Sequence, residues 1–223
     1  MPLRRVLIAN RGEIAVRIVK ACFDEGIESV LAVSDADRGS LGAQLADQVV
    51  CIGPAAAAES YLDLDRVVAA AKVTGCDALH PGYGFLSERP ELAAACEEEG
   101  VIFVGPSAAA MRRSGDKATA RALAKELDVP INEGSDVIRA EAEARAIAAE
   151  IGYPVLLKAA AGGGGRGMRM VESEAGMAAA FAEAHGEAEA AFGDGRLFLE
   201  RYVRAARHVE VQVLGDDRGN VVE

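Results

Sequence analysis

Short apolar runs alternate with longer amphipathic patterns through the first half of the chain. The apolar runs predict strands at 5–10, 29–34, 49–53, 76–80 and 101–105. Apolar residues recur every three or four positions in predicted helices, at 13–26, 64–75 and 90–100, each of which ends at a glycine. Nearly continuous apolar strands joined by helices are typical of a parallel sheet that is covered on both faces. Residues 1–115 therefore predict one open α/β domain.

The second half of the chain has a different pattern. Helices are predicted at 116–130, where Pro130 ends the helix, at 140–152, and at 173–193 with Ser173 as N-cap. The buried stripe of the last helix would be Met177, Phe181, Ala184, Ala188 and Phe192. Strands are predicted at 153–159, 168–171, 196–203 and 208–215, and residues 216–219 predict a turn into a return strand. Strands joined by hairpins indicate an antiparallel α+β unit over residues 116–223.

A lysine at the end of a predicted strand is followed closely by a run of glycines. The stretch is PVLLKAAAGGGGRGMRMV, in which Lys158 precedes four consecutive glycines, Arg166 and Gly167. A dinucleotide-binding loop or a P-loop would open a helix, but the residues that follow alternate like a strand. A strand–glycine loop–strand hairpin can instead lend backbone N–H groups to phosphates, and Lys158 would contact the same phosphates. The alternative is that Lys158 reaches solvent and the glycines form a linker.

Composition and charge narrow the classes of partner. The net charge is -11, which argues against a nucleic-acid or anionic-membrane partner. Aromatic residues are 4% of the chain, so the core must consist of Ala, Val, Leu and Ile. Cys22, Cys51, Cys76 and Cys96 lie in apolar stretches without CxxC spacing, which favours reduced core thiols over a zinc site. With no signal peptide and no apolar run long enough to span a membrane, the protein is expected to be cytoplasmic.

Several motifs in order resemble one known family. IANRGEIAVRI (8–18), HPGYGFLSE (80–88), VGPS (104–107), GDK (115–117), KAAAGGGGRGM (158–168), LERYV (199–203) and RHVEVQVLGD (207–216) are similar to the biotin carboxylase component of biotin-dependent carboxylases. The resemblance implies a Rossmann-like N-terminal domain at 1–115 that precedes an ATP-grasp domain. Residues 116–223 would be a truncated ATP-grasp domain, with an α+β lid at about 131–203 and the start of the C-terminal sheet at 204–223.

The resemblance also implies an activity and its partners. The family carboxylates biotin on a carrier protein with ATP and bicarbonate, through carboxyphosphate, and Mg²⁺ holds the phosphates. This is the first half-reaction of acyl-CoA or pyruvate carboxylases, so a biotin carboxyl carrier protein and a carboxyltransferase component are the implied partners. The full-length form is commonly a homodimer. The family's magnesium, bicarbonate and biotin residues would lie beyond Glu223, so we expect no catalytic or metal-binding residue here and no activity of this chain alone.

The site residues that the resemblance implies all concern ATP. Lys117 and Lys158 match phosphate-facing lysines, Gly164 and Gly165 match the lid over the phosphates, and Met168 lines the nucleotide pocket. Further along, Glu200 matches a contact to the adenine or ribose edge, Arg201 and Val203 match a hinge whose backbone meets adenine, and His208 matches a ribose-side contact.

Other stretches leave alternatives open. In HPGYGFLSE, His80 ends a strand at the edge where open α/β sheets bind ligands, and a purely structural turn explains the loop equally well. A dinucleotide site at ANRGE is poorly supported, because Gly12 is its one glycine and Arg11 and Glu13 can simply cap and pair at the helix start. His185 is expected at the surface.

Two other functions remain open from the sequence. Another ATP-grasp ligase, such as a carbamoyl-phosphate synthetase-like enzyme or an amino-acid ligase, would share the lysines and the glycine lid. A non-catalytic module that binds a nucleotide or only a partner subunit would fit the early stop of the chain. The final acceptor of the carboxyl group would be chosen in a carboxyltransferase component and is not encoded here.

Overall fold

A computed structural model describes residues 3–115, 117–160, 167–216 and 218–223, without the side chains of residues 117 and 118. The chain divides into two compact units, Met1–Ala120 and Arg121–Glu223.

The first unit contains a five-stranded parallel sheet with the order β3-β2-β1-β4-β5. Its strands are β1 (Arg5–Ile8), β2 (Glu28–Ser34), β3 (Gln48–Gly53), β4 (Ala78–His80) and β5 (Ile102–Phe103). Strand order runs outward in both directions from β1, as in doubly wound sheets. The five predicted strands and their parallel pairing are thus confirmed.

Helices cover both faces of this sheet. They are α1 (Gly12–Asp24), the short α2 (Leu41–Leu45), α3 (Leu64–Val73), α4 (Pro90–Glu98) and α5 (Ala108–Gly115). Alternate residues of β1 point to opposite faces, so Leu7 packs in one core with α3 and α4, while Val6 and Ile8 pack in another with α1. The predicted glycine stops after α1, α3 and α4 have positive φ angles, which end a helix without steric cost.

The second unit contains a three-stranded antiparallel sheet with two helices on one face. Its elements are α6 (Lys117–Glu126), which begins at the end of the first unit, α7 (Glu141–Ile151), β6 (Val155–Ala159), β7 (Met168–Val171), α8 (Met177–Phe192) and β8 (Leu197–Arg201). The sheet order is β7-β6-β8. Val155, Leu157 and Leu199 face α7 and α8 in a shared core. In the predicted α8 stripe, Met177, Ala184 and Ala188 are fully buried and the two phenylalanines are partly buried.

A segment that the sequence pattern left unassigned forms an irregular extra strand beside β8. We call residues 133–138 the strap. Its Ser135 N–H donates to the Leu199 carbonyl at 2.7 Å and its Ile138 N–H to the Leu197 carbonyl at 2.8 Å. The Arg201 N–H donates to the Glu133 carbonyl at 2.8 Å. The strap therefore covers an edge of the sheet that would otherwise be open.

The predicted strand at 208–215 is wrong over most of its length. Only Leu214–Gly215 forms a strand, β9, which pairs antiparallel with β10 (Val221–Val222). Val209, Val211 and Val213 alternate as in a strand, but all three are exposed, and among the described residues no strand pairs with them. The expected turn between β9 and β10 does form, with Asp216 accepting the Asn220 N–H at 2.8 Å.

Two predicted helix ends also differ. α6 ends at Glu126, and Asp128 then has a φ of 55°, so the helix stops before Pro130 is reached. Ser173 makes no side-chain capping hydrogen bond, because a 3₁₀ turn at Glu174–Gly176 lies between it and the start of α8 at Met177. The prediction of Ser173 as the N-cap is therefore wrong.

Candidate functional site

The register of the second sheet brings three of the predicted ATP-binding residues onto one face. Lys158 lies opposite Met168 on β7 and Phe198 on β8, and Glu200 lies opposite Leu156. These residues point away from the core that α7 and α8 cover, because side chains alternate along each strand. We call this surface the site face; it consists of Leu156, Lys158, Met168, Met170, Phe198 and Glu200.

The charged groups of the site face form a compact cluster. Lys158 Nζ lies 2.5 Å from Glu200 Oε2, and Arg121 Nη1 lies 3.3 Å from Glu200 Oε1. The side chains of Arg121, Glu200 and Lys158 are 11%, 15% and 26% exposed. Lys158 Nζ also lies 5.9 Å from the ring centroid of Phe198. At this distance the face of the aromatic ring attracts the positively charged ammonium group. The lysine is therefore neither free in solvent nor unpaired in the interior.

Arg121 is the member of this cluster that the sequence analysis missed. Its Nη2 donates to the Asn132 carbonyl at 2.5 Å, next to the strap. A Cβ on Gly134 would lie 2.4 Å from the Leu199 carbonyl oxygen and 3.0 Å from Arg121 Nη2, so only glycine allows this close approach. Arg121 is one of several polar residues in a predicted helix, and no local pattern distinguishes it from the others.

The predicted hinge residues lie at and just after the end of β8. The Arg201 side chain forms an ion pair with Glu133 and donates to the Ile151 carbonyl at 2.6 Å. Its backbone N–H is used by the strap, which leaves its carbonyl as the backbone group for any adenine contact. Val203 is exposed two residues later.

The remaining predicted ATP residues are not brought to the site face by the described structure. His208 is exposed in the irregular segment before β9, with its Nε2 3.1 Å from Glu210 Oε1. Gly164 and Gly165, together with Arg166 of the same loop, lie outside the described residues, as does the side chain of Lys117.

In the first unit, the strand order reverses between β1 and β4, and Asn10 lies at this point. Asn10 Nδ2 donates to the carbonyls of Pro81 and Tyr83 at 2.8 and 2.9 Å. A Cβ on Gly82 would lie 2.6 Å from that same nitrogen, so the loop packs closely on Asn10. The loop after β4 is thus hydrogen-bonded to Asn10 at the sheet edge where doubly wound sheets usually bind ligands.

Arg11 and His80 are held by neighbours in this unit. Arg11 is the N-cap residue of α1 but makes no side-chain capping bond, and its guanidinium lies over the rings of Tyr61 and Phe85 at 5.8 and 5.5 Å. Gly82 N–H donates to His80 Nδ1 at 3.0 Å, and burial lowers the pKa of His80. In the second unit, His185 is exposed as expected, with its Nδ1 2.7 Å from the Gly195 carbonyl.

Family models match both halves of the chain. The biotin carboxylase N-terminal domain matches residues 2–111, and the ATP binding domain of the carbamoyl-phosphate synthase L chain matches residues 116–223. Biotin carboxylase 1 of Bacillus subtilis (strain 168) is 48% identical over 221 residues, which are 99% of this chain. The chain belongs to the biotin carboxylase family. Mitochondrial pyruvate carboxylase of Mus musculus is 45% identical over 223 residues, which are 99% of this chain.

Solved biotin carboxylases share the fold of the whole chain. The complex of the Campylobacter jejuni biotin carboxylase with β-γ-ATP has a TM-score of 0.93 at 44% identity and covers 99% of this chain. The biotin carboxylase domain dimer of the Hydrogenobacter thermophilus 2-oxoglutarate carboxylase, in complex with MgADP, ADP and bicarbonate, has a TM-score of 0.89 at 42% identity. These likenesses confirm the predicted class, a Rossmann-like domain followed by part of an ATP-grasp domain.

The chain spans about half the length of the biotin carboxylases that it matches, 49% of the Bacillus subtilis protein and 50% of the Campylobacter jejuni chain. It spans 19% of the mouse pyruvate carboxylase.

Within the described residues, no three His, Cys, Asp or Glu side chains are grouped as they would be around a metal ion. The described helices include none with the length and apolar character needed to cross a membrane.

Proposed function

We propose that this chain supplies the ATP-binding part of a biotin carboxylase. In the complete reaction, ATP and bicarbonate give carboxyphosphate, and the carboxyl group passes to biotin on a carrier protein for use by a carboxyltransferase component. One observation carries the proposal: Lys158, Met168 and Glu200, which come from three different strands, share the site face.

The site face has the chemistry that a nucleotide needs. Lys158 can neutralise phosphate charge locally in a protein whose net charge is -11. It is the second-last residue of β6, four positions before the first glycine of the glycine-rich segment, from which backbone N–H groups would reach the same phosphates. Met168, Met170 and Phe198 offer an apolar surface for a base, with the carbonyl of Arg201 and the backbone of Val203 as hinge contacts. Lys117, Gly164, Gly165 and His208 remain in the proposal as predicted contacts.

The proposal assigns no catalytic residue and no magnesium ligand to these 223 residues. Mg²⁺, when bound with ATP, would hold the phosphates through groups supplied by the rest of a biotin carboxylase. A biotin carboxyl carrier protein, a carboxyltransferase component, a homodimeric full-length form and a cytoplasmic location complete the proposal.

A carbamoyl-phosphate synthase-like function is the second candidate, because the family model that matches residues 116–223 carries that name. Curated relatives that match 99% of this chain or more at 45–50% identity include biotin carboxylases and pyruvate carboxylases. We therefore retain biotin carboxylation. A full-length form whose bicarbonate-dependent ATP hydrolysis responds to ammonia or glutamine but not to biotin would favour the second candidate.

The proposal is tested by calorimetric titration of the 223-residue chain with ATP and Mg²⁺. We expect saturable binding that Lys158→Ala abolishes, because the variant removes the cation next to the phosphates. Lys125→Ala is the matched control: it removes the same charge from an exposed lysine that pairs with Asp136. Equal affinity of Lys158→Ala and the parent would contradict the role of Lys158. A folded chain that binds no ATP would show that these residues do not form a binding site by themselves.

A further inference from the structure

Glu200 has two cationic partners, one on each carboxylate oxygen. Oε2 lies 2.5 Å from Lys158 Nζ, and Oε1 lies 3.3 Å from Arg121 Nη1. A carboxylate that is 15% exposed needs a cation, since an unpaired charge at such a position is costly. A single partner would meet that need, so the second cation requires an explanation.

The two cations are held differently. Arg121 is anchored by its bond to the Asn132 carbonyl, and Gly134 of the strap packs against its guanidinium. Lys158 is the more exposed of the two, and its ammonium contacts Glu200 and the face of Phe198. Arg121 is therefore the fixed partner of Glu200, and Lys158 is the partner that can leave.

We propose that Arg121 is a positioning residue that keeps the negative charge of Glu200 compensated when the Lys158 side chain moves to contact a phosphate. This inference rests on the proposed function of the site face. Among the described residues, no partner reaches the buried Nε of Arg121, so the guanidinium has a donor to spare when Lys158 releases its oxygen. Without Arg121, the departure of Lys158 would leave a largely buried carboxylate unpaired. Glu200 would then retain the lysine in competition with the phosphate.

The first test is a double-mutant cycle on ATP binding, with Arg121→Met, Glu200→Gln and the combined variant. We expect Arg121→Met to weaken ATP binding by about tenfold or more, because it makes the release of Lys158 more costly. The same change in the Glu200→Gln background should have little effect, since a neutral amide does not need a counter-ion. Arg121→Lys should restore part of the affinity. A purely structural role of Arg121 predicts equal losses in both backgrounds and would overturn the proposal.

The second test needs no nucleotide. The acetylation rate of the Lys158 amine by acetic anhydride, followed by mass spectrometry, reports how tightly Glu200 holds it. We expect slower acetylation in Arg121→Met, where Glu200 has Lys158 as its only cation in the cluster, and faster acetylation in Glu200→Gln. Lys125 serves as the internal control and should react equally in every variant.

The outcomes separate this inference from the proposed function. Loss of ATP binding in Lys158→Ala together with parental affinity in Arg121→Met would overturn the role of Arg121 alone. If the chain binds no ATP, the acetylation rates still decide: a slower rate in Arg121→Met supports the charge sharing, and an unchanged rate overturns it.

Discussion

His80 connects the end of a strand to the turn that follows it. Its Nδ1 accepts the Gly82 N–H at 3.0 Å, and Gly82 has a φ of 67°, a conformation that L side chains rarely adopt. The same glycine leaves room for Asn10. HPGYGFLSE thus contains residues with a clear structural role in the first unit, which accounts for His80 and Gly82 without a ligand.

The pKa of His80 predicts a pH dependence of stability. Burial lowers this pKa in the folded chain, and protonation of Nδ1 would remove the acceptor for Gly82, so the unfolded chain binds the proton more readily. The free energy of unfolding should keep its full His80 contribution above about pH 6.5, the ordinary histidine pKa, and lose it as the pH falls through the lowered value.

Urea unfolding of the parent and of His80→Asn between about pH 5 and about pH 8 measures this contribution. The variant keeps an acceptor for Gly82 but cannot be protonated, so its stability should change less with pH than that of the parent. His208→Asn, at an exposed histidine, should behave as the parent does. Equal pH profiles for His80→Asn and the parent would contradict the assignment.

At the scale of elements, the strap shows how an irregular segment completes a sheet. Gly134 forms a bridge with Glu200, and Ile138 forms one with Leu197. Ser135 contributes twice, since its N–H donates to the Leu199 carbonyl and its Oγ accepts the Leu199 N–H at 2.9 Å. The buried Ser135 thus provides hydrogen-bond partners for both the N–H and the carbonyl of Leu199 in β8.

Ser135→Ala is expected to destabilise the second unit by about 1–3 kcal/mol, because the Leu199 N–H would remain buried without an acceptor. Ser173→Ala is the matched control, since Ser173 is exposed and makes no capping bond; its effect should stay within about 0.5 kcal/mol. Chemical unfolding followed by circular dichroism measures both changes. Equal effects of the two substitutions would show that the Ser135 hydroxyl contributes no net stability.

At the scale of the whole molecule, each unit has its own hydrophobic core. Leu79 is fully buried in the first unit and Leu157 in the second, and each described cluster of buried residues draws on one unit only. Units with separate cores can unfold separately. All four cysteines belong to the first unit, so thiol exposure reports on that unit alone.

We expect Leu79→Ala to lower the denaturant concentration at which the buried thiols become reactive, through a loss of about 2–5 kcal/mol of stability. Leu157→Ala, the same change in the other core, should leave thiol exposure unchanged. Cys96 is a suitable reporter, because it is fully buried and burial raises the pKa of its thiol to about 11, which suppresses its reactivity in the folded chain. Equal shifts in both variants would show that the two units unfold together.

The sequence by itself determined the features that depend on local periodicity. The five strands of the first unit, the glycine stops of its helices and the buried stripe of α8 follow from the spacing of apolar residues, because one face of each element must be buried. The position of Lys158 at a strand end beside the glycines is equally local. Together with the ordered motifs, these features identified the family.

Only the tertiary structure decided which distant residues meet. Arg121 and Glu200 are 79 positions apart, and nothing in a helical pattern selects that arginine as the partner of that carboxylate. The strap has no periodicity of its own, because β8 supplies its hydrogen-bond partners. Val209, Val211 and Val213 show the converse: their alternation fits a strand, but a strand forms only where a neighbouring chain segment pairs with it. Local pattern sets what an element can be, and contacts between distant residues decide whether it forms and which side chains it brings together.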